Sequence, residues 1–133
     1  MPPFLSLLVF DDRLRPWRCA AALTLFILIV TIGSIPGARM EIATLASGLV
    51  LHAFAYGCIT FLMYTGSRGS ALQRAAKAVL TVMLMGAIDE SVQSFLPYRH
   101  GAVSDWMVDA SSAFLTAGLL WALLPAPARA SQH

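Results

Sequence analysis

Four apolar segments follow one another along the chain, with only short polar connections between them. They cover residues 19–35, 42–64, 75–96 and 103–124. A helix needs about 20 mainly apolar residues to cross the hydrocarbon core of a bilayer, and each of these segments approaches or exceeds that length. The sequence therefore predicts an all-α fold, an integral membrane bundle of four transmembrane helices.

Composition favours this class and excludes others. Charged residues make up 12% of the chain and hydrophobic residues 58%, about half the charged share of an ordinary soluble domain. A net charge of +2, with its basic residues beside apolar runs, does not suit a nucleic-acid partner. The two cysteines, Cys19 and Cys58, lie inside apolar runs and predict no disulfide framework. We expect one domain, residues 1–133, surrounded by membrane lipids.

The Lys and Arg residues predict the orientation of the bundle. Seven of the nine lie in the N-terminal segment, the second connection and the tail: Arg13, Arg15, Arg18, Arg68, Arg74, Lys77 and Arg129. The first and third connections hold Arg39 and Arg99. Because cytoplasmic connections carry the excess of Lys and Arg, we expect both termini in the cytoplasm. A short amphipathic N-terminal segment precedes the helices, and a disordered tail, residues 125–133, follows them.

The third apolar segment ends in a polar stretch that starts at Asp89 and Glu90. Its clean apolar part, residues 78–88, is too short to span a bilayer alone, so these carboxylates must enter the membrane. Each charged group placed there costs about 2.5–3.5 kcal/mol on insertion scales. A functional site is the leading explanation. The alternative is a purely structural network of hydrogen bonds that joins the helices.

Helical spacing brings further polar residues to similar depths. His52 and Tyr56 are four positions apart, as are Asp105 and Asp109, so each pair shares a helix face. We expect acid–base roles for His52, Asp89, Glu90 and Asp105, and ligand contacts from Tyr56, Gln93, Arg99 and Asp109. The candidate ligands for a divalent cation are Asp89, Glu90 and Asp105. His52 has the alternative of a packed core histidine, and Arg99 that of an interfacial anchor instead of a phosphate ligand.

These residues resemble the signature of the VanZ-like family of small bacterial membrane proteins. The matching positions are His52, Tyr56, Asp89, Glu90, Gln93, Phe95, Pro97, Arg99, Asp105 and the small residues 110–113. The resemblance covers residues 34–120. The chain departs from the family pattern in three ways: Asp109 stands where Asn is usual, Ser112 where Gly is usual, and Gly48-Leu49 where an Asp-Lys pair is common. The added carboxylate and the lost Lys predict a pocket that holds protons or a cation differently from its relatives.

The resemblance implies a role in the bacterial cell envelope. The family is linked to resistance to the glycopeptide antibiotic teicoplanin, and no settled mechanism comes with it. We expect a multi-pass protein of the bacterial cytoplasmic (inner) membrane, with the Asp89–Arg99 side facing outward. It would act on or bind a phosphate-bearing envelope lipid or cell-wall precursor. The alternative is a non-enzymatic transport-like or accessory protein. Whether the chain is an enzyme, and whether it is a monomer or a homo-oligomer, stays open.

Overall fold

A computed structural model describes residues 9–43 and 46–124. A 3-10 turn, Asp12–Leu14, precedes the helices α1 (Arg15–Gly33), α2 (Ala38–Ala43), α3 (Gly48–Gly66), α4 (Ala71–Ser94) and α5 (Val103–Leu123). The four longer helices, α1, α3, α4 and α5, are each long and apolar enough to cross a membrane. The predicted all-α bundle of four such helices is confirmed. The predicted amphipathic segment lies mostly, and the 125–133 tail wholly, outside the described residues.

A reciprocal pair of hydrogen bonds fixes the start of α4. The Ser70 hydroxyl accepts from the backbone N–H of Gln73 at 3.2 Å, and the Gln73 side chain accepts from the backbone N–H of Ser70 at 2.9 Å. This capping box satisfies two N–H groups that a helix terminus otherwise leaves without partners. Helix α4 therefore begins at Ala71, earlier than the predicted residue 75.

Helix α3 begins at Gly48, and not at residue 42 as the apolar run predicts. The Ser47 side chain accepts from the backbone N–H of Val50 and caps the helix, while residues 38–43 form the separate short helix α2. His52 consequently lies close to the start of α3 instead of near its middle. His52 lies at the same end of the bundle as the acidic residues of α4 and α5.

Helix α3 is at the centre of the bundle and packs against α1, α4 and α5. Its Tyr56, Ile59 and Tyr64 are fully buried. Small residues on α5, among them Ala113 and Ala117, are also buried and allow close helix packing. Large apolar side chains such as Leu80, Leu84, Phe114 and Leu119 are exposed. An apolar outer surface of this kind is what lipid-facing helices require.

Arginine side chains hold the helices together at one end, which we call the basic end (Arg15, Arg18 and Arg74). Arg18 donates to the carbonyl of Thr65 at 2.9 Å. Arg74 donates to the carbonyl of Tyr64 at 3.0 Å, and its guanidinium lies 4.4 Å from the centre of the Tyr64 ring. The opposite end, where α1 ends and α3 begins and where α4 ends and α5 begins, is called the polar end below.

Candidate functional site

Asp89 is the centre of a buried hydrogen-bond chain at the polar end. The Tyr56 hydroxyl donates to Oδ2 of Asp89 at 2.9 Å, and the Gln93 amide donates to Oδ1 at 3.0 Å. Arg99 donates to the amide oxygen of Gln93 and to the carbonyl of Gly33 at 2.9 Å. Asp89 is only 1% exposed, and both of its oxygens have partners. The chain therefore links α1, α3, α4 and the connection after α4.

His52 and Asp109 form a second polar contact, between α3 and α5. The imidazole Nδ1 lies 2.9 Å from Oδ1 of Asp109, and the imidazole stacks on the Tyr56 ring with 5.9 Å between centroids. Asp109 is fully buried. Its other oxygen, Oδ2, is buried without a hydrogen-bond partner among the described residues. A buried acceptor left in this way is costly.

Glu90 is held by the backbone of the connection between α4 and α5. Its Oε2 accepts from the backbone N–H of Ala102 at 2.6 Å, whereas Oε1 is buried with no hydrogen-bond partner in the described part of the chain. Gly101 allows this approach, because a Cβ at that position would collide with the Glu90 carbonyl and the Ser94 hydroxyl. The connection therefore places a backbone donor directly on a buried carboxylate.

Three side chains at this end could share one ion. His52, Glu90 and Asp109 each offer one ligand atom, and these atoms all lie within 4.8 Å of one another. Each comes from a different helix of the bundle. One imidazole nitrogen and two carboxylate oxygens are ordinary donors for divalent metal ions.

A groove lies beside Arg99, next to the hydrogen-bond chain. Its volume is about 470 Å³, and it is lined by Ile35, Pro36, Gly37, Met40, Tyr98, Arg99 and His100. The Tyr98 hydroxyl donates to the carbonyl of Ser34 at 2.5 Å and so ties the two walls together. The Nε of Arg99 is buried with no partner among the residues described. The groove thus combines a guanidinium with mainly apolar walls.

The structure brings most of the predicted site residues together at the polar end. The two hydrogen-bonded groups and the Glu90 contact hold His52, Tyr56, Asp89, Glu90, Gln93, Arg99 and Asp109. Asp105 is half-buried and lies one helical turn before Asp109. It is not in the group of three that could hold an ion.

The group of side chains that could share an ion differs from the predicted set of Asp89, Glu90 and Asp105. Glu90 belongs to both sets. Both oxygens of Asp89 already accept hydrogen bonds from Tyr56 and Gln93, whereas His52 and Asp109 each have a ligand atom within 4.8 Å of one on Glu90. Which residues of different helices can share an ion depends on how the helices are rotated against one another. The spacing of residues within a single helix does not give that rotation.

Sequence reasoning missed the backbone groups of the site. The Ala102 N–H and the Gly33 carbonyl both bind site side chains, and the Trp106 indole donates to the Met83 carbonyl at 2.9 Å. Backbone donors and acceptors carry no residue-type signal. Gly101, beside Ala102, was the one indication that the chain passes close to another element.

Comparison of the chain with protein-family models, with curated proteins and with solved structures finds no match. The resemblance to the VanZ-like family therefore stays a prediction.

Proposed function

We propose that this multi-pass membrane protein binds a phosphate-bearing envelope lipid or lipid-linked cell-wall precursor in the groove beside Arg99. The proposal includes membership of the VanZ-like family and a bacterial cytoplasmic membrane with the polar end facing outward, as the Lys and Arg distribution predicts. The observation that supports it most directly is that the Arg99 guanidinium donates only to uncharged acceptors among the described residues.

Arg99 is a half-buried cation, and both of its acceptors among the described residues are uncharged. They are the amide oxygen of Gln93 and the backbone carbonyl of Gly33, so neither neutralises the guanidinium. Burial of part of a charged group is costly unless the charge is paired. A phosphate is a suitable counter-ion, because a planar guanidinium binds its oxygens in a bidentate manner.

The walls of the groove favour an amphiphile over a free anion. Ile35, Pro36 and Met40 line it on one side, and Tyr98 and His100 stand beside Arg99. Met40 is 79% exposed, as expected of a side chain that lies against lipid. A phosphate headgroup at Arg99 would leave its hydrocarbon chain along this apolar wall.

A second candidate is a non-enzymatic accessory or transport-like protein whose acidic residues mainly join helices. One observation favours this role for Asp89: both of its oxygens are bound, by Tyr56 and Gln93. In that case Asp89→Asn would reduce the stability of the bundle, and lipid binding would fall only in proportion to the unfolded fraction.

The binding proposal is tested with a matched pair of amphiphiles, farnesyl phosphate and farnesol, titrated against the purified full chain in detergent. We expect saturable binding of farnesyl phosphate and no saturable binding of farnesol. Arg99→Gln should weaken it about 10- to 100-fold, because a charge-assisted hydrogen bond contributes about 1.5–3 kcal/mol. Arg68→Gln is the control, since Arg68 is exposed beyond the opposite end of the bundle. Equal binding of farnesol, or equal binding by the Arg99 variant, would reject the proposal.

A further inference from the structure

We propose that His52, Glu90 and Asp109 form a binding site for a divalent transition-metal ion of the Zn²⁺ class. The site joins α3, α4 and α5 at the polar end. It does not rest on the lipid-binding proposal, because Arg99 and its groove supply none of the three ligands.

Two buried oxygens point to a ligand at this position. Oε1 of Glu90 and Oδ2 of Asp109 are buried and have no hydrogen-bond partner in the described part of the chain. Glu90 is 8% exposed and Asp109 is not exposed at all. Native proteins rarely leave such acceptors unsatisfied, and an ion is one of the groups that explain them.

The distances are close to those of a bound ion. In a tetrahedral zinc site, ligand atoms about 2.0–2.2 Å from the ion lie about 3.3–3.6 Å apart, and the three donors lie within 4.8 Å of one another. Small rotations of the side chains would therefore bring all three to the ion. His52 and Asp109 are already in contact at 2.9 Å, and Asp109 has its second oxygen for the metal.

The donor types select the class of ion. Ca²⁺ takes six to eight oxygen ligands and Mg²⁺ is held mainly by oxygen and water. An imidazole with two carboxylates favours zinc or a neighbouring transition metal. Three protein ligands also leave one coordination position open, as in catalytic zinc sites. The Ala102 N–H on Oε2 of Glu90 orients that carboxylate, as the outer partners of metal ligands do.

A path leads from the surface to Glu90. A cavity of about 230 Å³ lies between the end of α4 and the start of α5, and Glu90, Ser91, Ser94, Gly101 and Ala102 are among its lining residues. Ser91 and Ser94 are exposed. The cavity gives an ion and its water a route to Glu90 without passing through the apolar core.

The test uses the purified full chain in detergent, stripped with a chelator and then dialysed against Zn²⁺. We expect the unchanged chain to bind about one Zn²⁺ ion per chain. His52→Gln, Glu90→Gln and Asp109→Asn should each weaken binding at least about 100-fold, since the loss of an outer partner alone costs about 10- to 100-fold. His100→Gln and Asp12→Asn are controls for the loss of an imidazole and of a carboxylate, and should bind as the unchanged chain does.

A second measurement needs no variant and so does not depend on how well a variant folds. Co²⁺ is added to the unchanged chain, and proton NMR is recorded to detect paramagnetically shifted imidazole signals. We expect shifted signals from one coordinated histidine. These signals should disappear when Zn²⁺ replaces Co²⁺. Absence of any shifted imidazole signal would overturn the proposal, as would equal metal binding by the unchanged chain and by well-folded His52, Glu90 and Asp109 variants.

Discussion

His52 and Asp109 lie 57 positions apart in the chain, yet Nδ1 of the imidazole is 2.9 Å from Oδ1 of the carboxylate. The contact joins the first turns of α3 to the first turns of α5. Ser47 caps α3, which begins at Gly48, so His52 lies close to the start of that helix. The polar end is therefore built by tertiary packing of three helices around a few buried acceptors.

The His52–Asp109 contact should appear as a coupling energy. His52→Ala, Asp109→Ala and the double variant are unfolded in detergent with a chelator present, and their free energies of unfolding are compared. We expect a coupling of about 0.6 kcal/mol and at most about 1.7 kcal/mol, the range for polar contacts between membrane helices. His52→Ala combined with His100→Gln is the control and should be additive. Additivity in the His52–Asp109 cycle would show that the two side chains do not interact.

Tyr56 and Tyr64 are both buried tyrosines of α3, but their hydroxyl groups differ. The Tyr56 hydroxyl donates to Asp89, whereas the Tyr64 hydroxyl is buried with no partner among the described residues. Tyr56→Phe should lower the free energy of unfolding by about 1–3 kcal/mol, because it leaves a buried carboxylate oxygen unsatisfied. Tyr64→Phe should be neutral or slightly stabilising. Equal losses in the two variants would contradict the hydrogen-bond chain at Asp89.

Gly66 allows α3 to approach α1 closely at the basic end. A Cβ at this position would lie 2.6 Å from Sγ of Cys19 and 3.1 Å from the Arg15 carbonyl oxygen. Gly66→Ala should therefore lower the free energy of unfolding by about 1–3 kcal/mol, as overpacking does. Gly118→Ala is the matched control, since a Cβ there meets nothing within 4 Å. No difference between the two variants in a thermal or detergent unfolding assay would argue against this helix contact.

An ion held by His52, Glu90 and Asp109 should stabilise the bundle. At a free Zn²⁺ concentration 100 times the Kd, the gain in free energy of unfolding is about 2.7 kcal/mol. The Tm of the unchanged chain should rise with Zn²⁺ and fall back after a chelator is added. The Asp109→Asn variant should show neither change, and an equal rise in that variant would place the ion elsewhere.

The class of fold could be predicted from the sequence, because the lengths of the apolar runs identify membrane helices directly. The start of α4 could also have been predicted more accurately than from the apolar pattern, since Ser70 and Gln73 have the spacing of a capping box. The start of α3 was harder to predict, because the apolar run begins at Ile42, six residues before the helix starts at Gly48.

The candidate site could be predicted only in part. Asp89, Glu90 and Gln93 stand out as polar groups in an apolar setting, and the structure buries all three. Which acid meets which partner depends on the rotation and depth of each helix, so the Asp89–Tyr56 and Asp109–His52 contacts needed the three-dimensional structure. The Ala102 N–H needed it as well, since every residue except proline has that donor.

The central claim, that Arg99 holds a lipid phosphate, is tested most directly by native mass spectrometry of the protein extracted from bacterial membranes. We predict that the unchanged chain and the Arg68→Gln variant carry a phosphorylated lipid and that the Arg99→Gln variant has lost it. The same lipid bound at the same occupancy to the Arg99→Gln variant would contradict the account.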